Sequence, residues 1–109
     1  MLPRAHRLTK KKDFDEVFKK GKSAKVDFLV VKALKNNRPE SRFGFVVSKK
    51  ISNKATIRNK VKRRLSQAVF FQLPGILISV DVVMIALLGI EKKEFFEIKE
   101  LVDEIIKKI

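Results

Sequence analysis

The stretch RFGFVVSKKISNKATIRNKVKRRL, residues 42–65, changes its apolar period midway. Over residues 41–48 Phe43, Phe45 and Val47 alternate with Gly44, Val46 and Ser48, the period of two by which a strand sends side chains to opposite faces. After Asn53 the period lengthens. Ile57, Val61, Leu65 and Ala68 fall at i, i+4, i+8 and i+11, along one side of a helix that Pro74-Gly75 ends. Asn59, Lys60, Arg63 and Gln67 lie on the opposite side, while Arg58 and Lys62 flank the stripe. Arg64 falls near the apolar arc and must snorkel to its edge. The stripe needs a sheet to pack on, so the stretch predicts a strand feeding an amphipathic helix.

The same stretch concentrates charge. From Lys49 to Arg64 it holds eight basic residues (Lys49, Lys50, Lys54, Arg58, Lys60, Lys62, Arg63 and Arg64) and no acid. The chain as a whole carries 26 Lys and Arg against 12 Asp and Glu, a net charge of +14. Residues 1–72 bear 21 basic and 5 acidic side chains, a net of +16, and residues 73–109 bear 5 and 7, a net of −2. Self-repulsion on this scale works against the compact state and suits a polyanionic partner. Nucleic acid comes first, an anionic membrane second, and a merely solvated lysine-rich surface is the plain alternative.

Outward from this stretch the remaining elements follow. Residues 1–8 read as a flexible basic arm. In KKKDFDEVFKKG, Phe14, Val17 and Phe18 have the i, i+3, i+4 spacing of a helical face; Gly21 stops the helix and Lys19 and Lys20 suit its C-terminal dipole, giving a helix over about 11–20. Phe18, a turn nearer Gly21, should be the more buried of the two rings. VDFLVVKAL (26–34) predicts a strand and KNNRPES a turn, so strands 26–34 and 41–48 should form an antiparallel hairpin. VDVVMIALL (80–88), apolar at nearly every position, predicts a strand buried on both faces at the centre of the sheet. In KKEFFEIKELVDEIIKKI, Phe95, Ile98, Val102, Ile105 and Ile109 recur at helical spacing, with Glu94 and Glu97 early and Lys107 and Lys108 late. The order αββαβα, in one domain of 109 residues, is of the α+β class.

Composition also excludes chemistries. With no Cys and one His, disulfides, zinc clusters and Cys- or His-based nucleophiles drop out. Asp13, Asp15 and Glu16 could suggest a metal site, but three acids among lysines read more simply as a solvated face. His6 sits in the basic arm without an evident partner. MLPRAHRLTKKK lacks the apolar run of a signal peptide, and GILISVDVVMIALLGI, interrupted by Asp81, is short for a bilayer span of roughly 20 residues. A cytoplasmic chain is expected. Asn59, both donor and acceptor, could read a base edge, a 2′-hydroxyl or a phosphate where lysine would only attract, or it could simply be solvated.

In spacing, VSKK (47–50), Ala55 and RNKVKRRL (58–65) resemble the signature of the protein subunit of bacterial ribonuclease P. RLTKKKDFDEVFKKG (7–21), FLVV (28–31) and RFGFVVSKK (42–50), with Arg42 and Gly44 as its Arg-x-Gly, agree in order. The resemblance implies a ribosomal-protein-like two-layer fold, a four-stranded sheet with three helices. In it the basic helix joins neighbouring parallel strands by a left-handed crossover, a rare hand. It implies an RNA-binding subunit of an endoribonuclease that removes the 5′ leader of precursor tRNA. Catalysis would lie with the RNA subunit and its Mg²⁺, with no protein catalytic residue and no obligate protein partner.

Carried onto this chain, the resemblance makes Lys49, Lys50, Lys54, Arg58, Asn59, Lys60, Lys62, Arg63 and Arg64 the RNA-binding set. Lys60 stands where the family's motif usually has Arg, which keeps charge but not a bidentate fork. Phe14, Phe18, Leu29 and Val31 would line the leader cleft between the first helix and the sheet. On the residues alone, an aromatic pair four apart is more often core than platform. The rival class is a structural RNA-binding protein such as a ribosomal protein.

Overall fold

The computed structural model describes residues 2–76 and 79–108. Helix α1 (Lys11–Lys20) leads into strands β1 (Lys22–Val26), β2 (Leu29–Lys35) and β3 (Arg42–Val46). Helix α2 (Ala55–Gln72), strand β4 (Val80–Ala86) and helix α3 (Phe95–Ile106) follow, with short 3-10 turns at Arg4–His6, Leu73–Gly75 and Ile90–Lys92. Ile109, the last position of the predicted α3 stripe, lies outside the described residues, as do Leu77 and Ile78 ahead of β4.

The four strands form one sheet in the order β1-β2-β4-β3. β4 is central, as its nearly continuous apolar run predicts, and six of its seven residues are buried. It pairs antiparallel with β2 and parallel with β3, so α2 connects parallel neighbours. The predicted hairpin between 26–34 and 41–48 is therefore incorrect: β4 lies between those strands. β2 forms its hairpin with β1 instead, in the register Val26↔Leu29 to Lys22↔Ala33. That adds a strand to the order αββαβα read from the residues and completes the four that the resemblance implies.

The missed turn is Asp27-Phe28. A two-residue hairpin loop needs positive φ, which usually calls for Gly or Asn; here Phe28 takes φ 65°. Tertiary contacts hold it. Its ring lies under the Lys93 ammonium, 4.9 Å from Nζ to centroid, and a Cβ on Gly89 (φ 109°) would come within 2.6 Å of it.

Strand alternation gives the sheet two faces with different duties. Leu29 and Val31 of β2, Phe43 of β3, and Val80, Val82, Met84 and Ala86 of β4 form the main core with Val61, Leu65, Ala68 and Val69 of α2 and Ile98, Val102 and Ile105 of α3. Each Val, Leu or Ile so buried contributes about 1.5–3 kcal/mol. On the other face a smaller cluster joins Val17 of α1 to Leu8 and Val83, with Phe14, Leu34, Val46 and Ile85 around it. α1 therefore covers only part of its face.

The N-terminal segment is no flexible arm. Leu2 and Leu8 are buried, and the Arg7 Nε donates to the Leu2 carbonyl at 2.7 Å. Arg7 bridges Phe43 on the outer side of β3, where the Leu8 N–H donates to the Phe43 carbonyl at 2.9 Å. His6 has a partner too, its Nδ1 lying 2.7 Å from the Ser41 carbonyl. The segment caps part of an edge strand that would otherwise present unpaired backbone groups.

Candidate RNA interface

α2 presents the basic face that the sequence predicts. Val61, Leu65, Ser66, Ala68 and Val69 are its buried residues, while Asn59, Lys60, Lys62, Arg63 and Gln67 are exposed. Ile57, first in the predicted stripe, is only half-buried. Lys49, Lys50 and Lys54 are exposed in the segment that enters the helix. That segment is shaped by serines: Ser48 Oγ accepts from the Lys50 N–H at 3.3 Å, and Ser52 Oγ from the Lys54 N–H at 3.1 Å. Lys54 is the N-cap, no side chain caps the helix, and its first turn carries no acid. The free N–H groups of that turn thus add to the positive field of the lysines.

Two members of the basic set also serve the fold. Arg58 Nη1 donates to the Ser52 carbonyl at 2.9 Å, and Arg64 Nη1 donates to the Lys93 carbonyl at 2.6 Å. Arg64 thus reaches the edge of its helix, as its place beside the apolar arc requires, and ties α2 to the approach of α3.

Beside this face lies a groove of about 360 Å³ over the β3 edge. Phe14, Phe43 and Phe45 supply apolar surface, and Arg7, Asn59, Lys62 and Arg63 supply polar and cationic groups. A larger cavity of about 520 Å³, bounded by Lys20, Lys22, Lys35 and Lys108, contains none of the residues expected to bind the RNA or to line the leader cleft. The groove therefore joins the basic face to the aromatic side of α1.

The residues expected to line the cleft divide. Phe14 and Phe18 flank the partly covered face of the sheet, but Leu29 and Val31 do not reach it. Both are fully buried on the opposite face, in the core with α2 and α3, and this corrects their assignment. A strand's side chains alternate, so an offset of one residue changes the face. The β2 positions facing α1 are Val30, Lys32 and Leu34, and the Lys32 Nζ lies 5.9 Å from the Phe18 ring centroid.

The order of burial within the aromatic pair is also reversed. Val17, wholly buried, is the centre of the α1 contact. Phe18 follows it by one residue, about 100° round the helix, and is 40% exposed. Phe14 is closer to that centre and packs directly against Gly44.

Two of the three α1 acids are engaged with cations. Asp13 Oδ2 accepts from Arg42 Nη1 at 3.2 Å, and Glu16 pairs with Lys20 at 3.3 Å. Among the described residues no group of three or more His, Cys, Asp or Glu could hold a metal ion. Arg42 makes a second, stronger contact that the sequence does not announce: its Nε and Nη2 donate to the two oxygens of Asp81 at 2.9 and 2.6 Å. Asn36 Nδ2 donates to the same carboxylate at 2.7 Å. Burial alone would raise the Asp81 pKa, but the hydrogen bonds from Arg42 and Asn36 and the Arg42 charge hold it below the ordinary aspartate value. Arg42 therefore clamps α1, β3 and β4 together under the cleft.

The family model described as Ribonuclease P matches residues 2–109. The ribonuclease P protein component of Lactococcus lactis subsp. cremoris (strain MG1363) is 36% identical over 106 residues, covering 97% of this chain and 89% of that protein. The corresponding protein of Bacillus cereus (strain B4264) is 35% identical over 108 residues, 98% of this chain and 93% of that one. The solved RNase P protein from Thermotoga maritima superposes with a TM-score of 0.86 at 33% identity, covering 94% of this chain and 96% of that one. The Staphylococcus aureus RNase P protein gives 0.87 at 27% identity, covering 96% and 95%. With its mixed four-stranded sheet, three helices and basic α2 face, the chain belongs to the ribonuclease P protein family.

Proposed function

We propose that this chain is the RNA-binding protein subunit of a ribonuclease P, gripping the catalytic RNA with α2 and the 5′ leader of precursor tRNA with the cleft beside α1. The observation that carries this reading is the continuity of two surfaces. An exposed row of cations with Asn59 runs along α2, and the groove at its side leads to Phe14 of α1. Cations hold phosphates without regard to sequence, and exposed rings on a basic surface suit unpaired bases. A duplex-only binder would have no use for Phe18 half in water.

Cleavage itself is assigned to the RNA. Asp13 and Glu16 of α1 are engaged with Arg42 and Lys20, which supports leaving the Mg²⁺ with the RNA subunit. The protein's contribution is electrostatic: its +14 charge offsets phosphate repulsion that metal ions would otherwise screen. No helix among the described residues is long and apolar enough to cross a membrane; the proposed role calls for the cytoplasm, where precursor tRNA is.

The test is reconstitution. The purified chain is added to a bacterial ribonuclease P RNA with precursor tRNA at Mg²⁺ too low for the RNA alone, and leader cleavage is followed. Cleavage should appear only with both components. Cleavage by protein without RNA, or no effect on the RNA, would overturn the assignment.

A further inference from the structure

The basic face of α2 ends in two phenylalanines turned outward. Phe70 and Phe71 are 45% and 54% exposed. Their rings meet edge to face with centroids 6.3 Å apart, and Phe71 lies 6.4 Å from Phe95 at the start of α3. Seven residues are close to two helical turns. Phe70 thus stands in line with Arg63 and Phe71 with Arg64, with exposed Gln67 between the two rows. Each row runs from cation to ring along one helix.

The surroundings of the rings do not repel an anion. Glu97, Glu100 and Glu104 lie on the other side of α3, around Asp27 and Phe28. Asp103 is occupied, accepting from Gln72 Nε2 at 2.6 Å and from Lys99 Nζ at 3.2 Å. A second copy of the chain fits poorly, because a symmetric contact through these rings would set two basic α2 faces side by side.

We propose that Phe70 and Phe71 form a stacking platform for unpaired nucleotides of the RNA bound by α2, the helix holding phosphates along its basic rows and bases on its last turns. The inference rests on the RNA-binding function proposed above. Its chemistry is general: single-stranded segments are held where a cationic track adjoins aromatic rings, since every base offers a π-face. The platform is separate from the cleft, which lies across the sheet on the α1 side.

The test replaces the rings but keeps their apolar bulk. The full chain carrying Phe70→Leu and Phe71→Leu is compared with wild type and with Arg63→Ala for equilibrium binding to a ribonuclease P RNA, with chemical probing of the RNA's unpaired nucleotides. The leucine variant should melt like wild type, bind about tenfold more weakly, keep the wild-type salt dependence and uncover a discrete set of unpaired nucleotides. Unchanged affinity and footprint, with Arg63→Ala still weakened, would overturn the platform and leave the basic-face reading standing. Self-association of the wild type that the leucine variant loses would give the rings to a second copy and equally overturn it. A wild-type chain that binds no such RNA would end both readings.

Discussion

Phe14 lies so close over Gly44 that a Cβ at Gly44 would stand 2.4 Å from the Phe14 Cζ and 2.7 Å from its Cε1. The Arg-x-Gly of β3 thus has a physical account at both ends. Gly44 makes room for the ring of α1, and Arg42, two residues earlier on the same face, holds Asp13 of α1 and Asp81 of β4. One strand face fixes the height and the angle of the helix that walls the cleft.

Gly44→Ala should therefore force the Phe14 ring aside, at about 1–3 kcal/mol of stability. In a Phe14→Leu background the same change should cost much less, since the two positions are coupled by direct contact. Urea unfolding of the four chains of the cycle measures this. Equal costs in both backgrounds would show that Gly44 is needed for some reason other than the ring.

Asp81 predicts an acid limit. Its pKa is lowered in the folded state, so between the folded and unfolded values the unfolded chain binds more protons and stability rises with pH. The stabilisation is complete above the unfolded value, about 3.9, and is lost as pH falls through the lower folded value. Asp81→Asn should remove that dependence. At neutral pH it should also destabilise, by about 3–5 kcal/mol if Arg42 is left with no charged partner and by less to the extent that Asp13 serves instead. Unfolding free energies from pH 7 down to 3 check both; an unchanged acid limb in Asp81→Asn would remove Asp81 from the account.

Both helices that frame the RNA surface are legible in the sequence, because α1 and α2 keep a helical apolar period against charged opposite faces. β4 is legible too, since a strand apolar on both of its faces has only the middle of a sheet to occupy. β1 is not. KSAKV carries a weak alternation, and its turn has neither Gly nor Asn; Phe28 adopts positive φ through its contacts with Gly89 and Lys93, which are distant in sequence. The face of β2 is hidden for a related reason. With Leu29, Val30 and Val31 all apolar, pattern alone does not say which point into the main core, and the cleft position is taken by Lys32. The outward Phe70 and Phe71 belong to no apolar stripe of α2, and their place opposite the core is the one signal that could have marked them.

Arg58 and Arg63 should separate binding from folding. Arg63 is exposed, so Arg63→Ala should leave the melting temperature unchanged. RNA affinity should fall, and the log–log salt slope should flatten by roughly 0.9 for each duplex phosphate the variant no longer neutralises. Arg58→Ala should lose affinity as well, and additionally about 0.5–1.5 kcal/mol of stability as its hydrogen bond to the Ser52 carbonyl disappears. Salt titrations paired with thermal melts distinguish the two. A wild-type salt slope in both variants would place the RNA elsewhere.

Phe14 and Phe18 should part in the same manner, with the roles set by their burial. Phe14 is packed against Gly44 and the Leu8 cluster, so Phe14→Ala should cost stability, somewhat less than the roughly 3–5 kcal/mol of a fully buried ring, and should harm precursor and mature tRNA binding together as the wall of the cleft loosens. Phe18 is 40% exposed and stands beside the Lys32 ammonium. Its loss should change stability by no more than about 1 kcal/mol. If the ring stacks on a leader base, Phe18→Ala should cost about 1–3 kcal/mol of precursor affinity while mature tRNA, which has no leader, binds as before. Lys32→Ala should repeat that selectivity more weakly, because it removes the cation that sits beside the ring. Melts combined with affinities for the two RNAs decide the matter: a Phe18→Ala chain that folds normally and loses no preference for precursor would show that the cleft does not hold the leader at this ring.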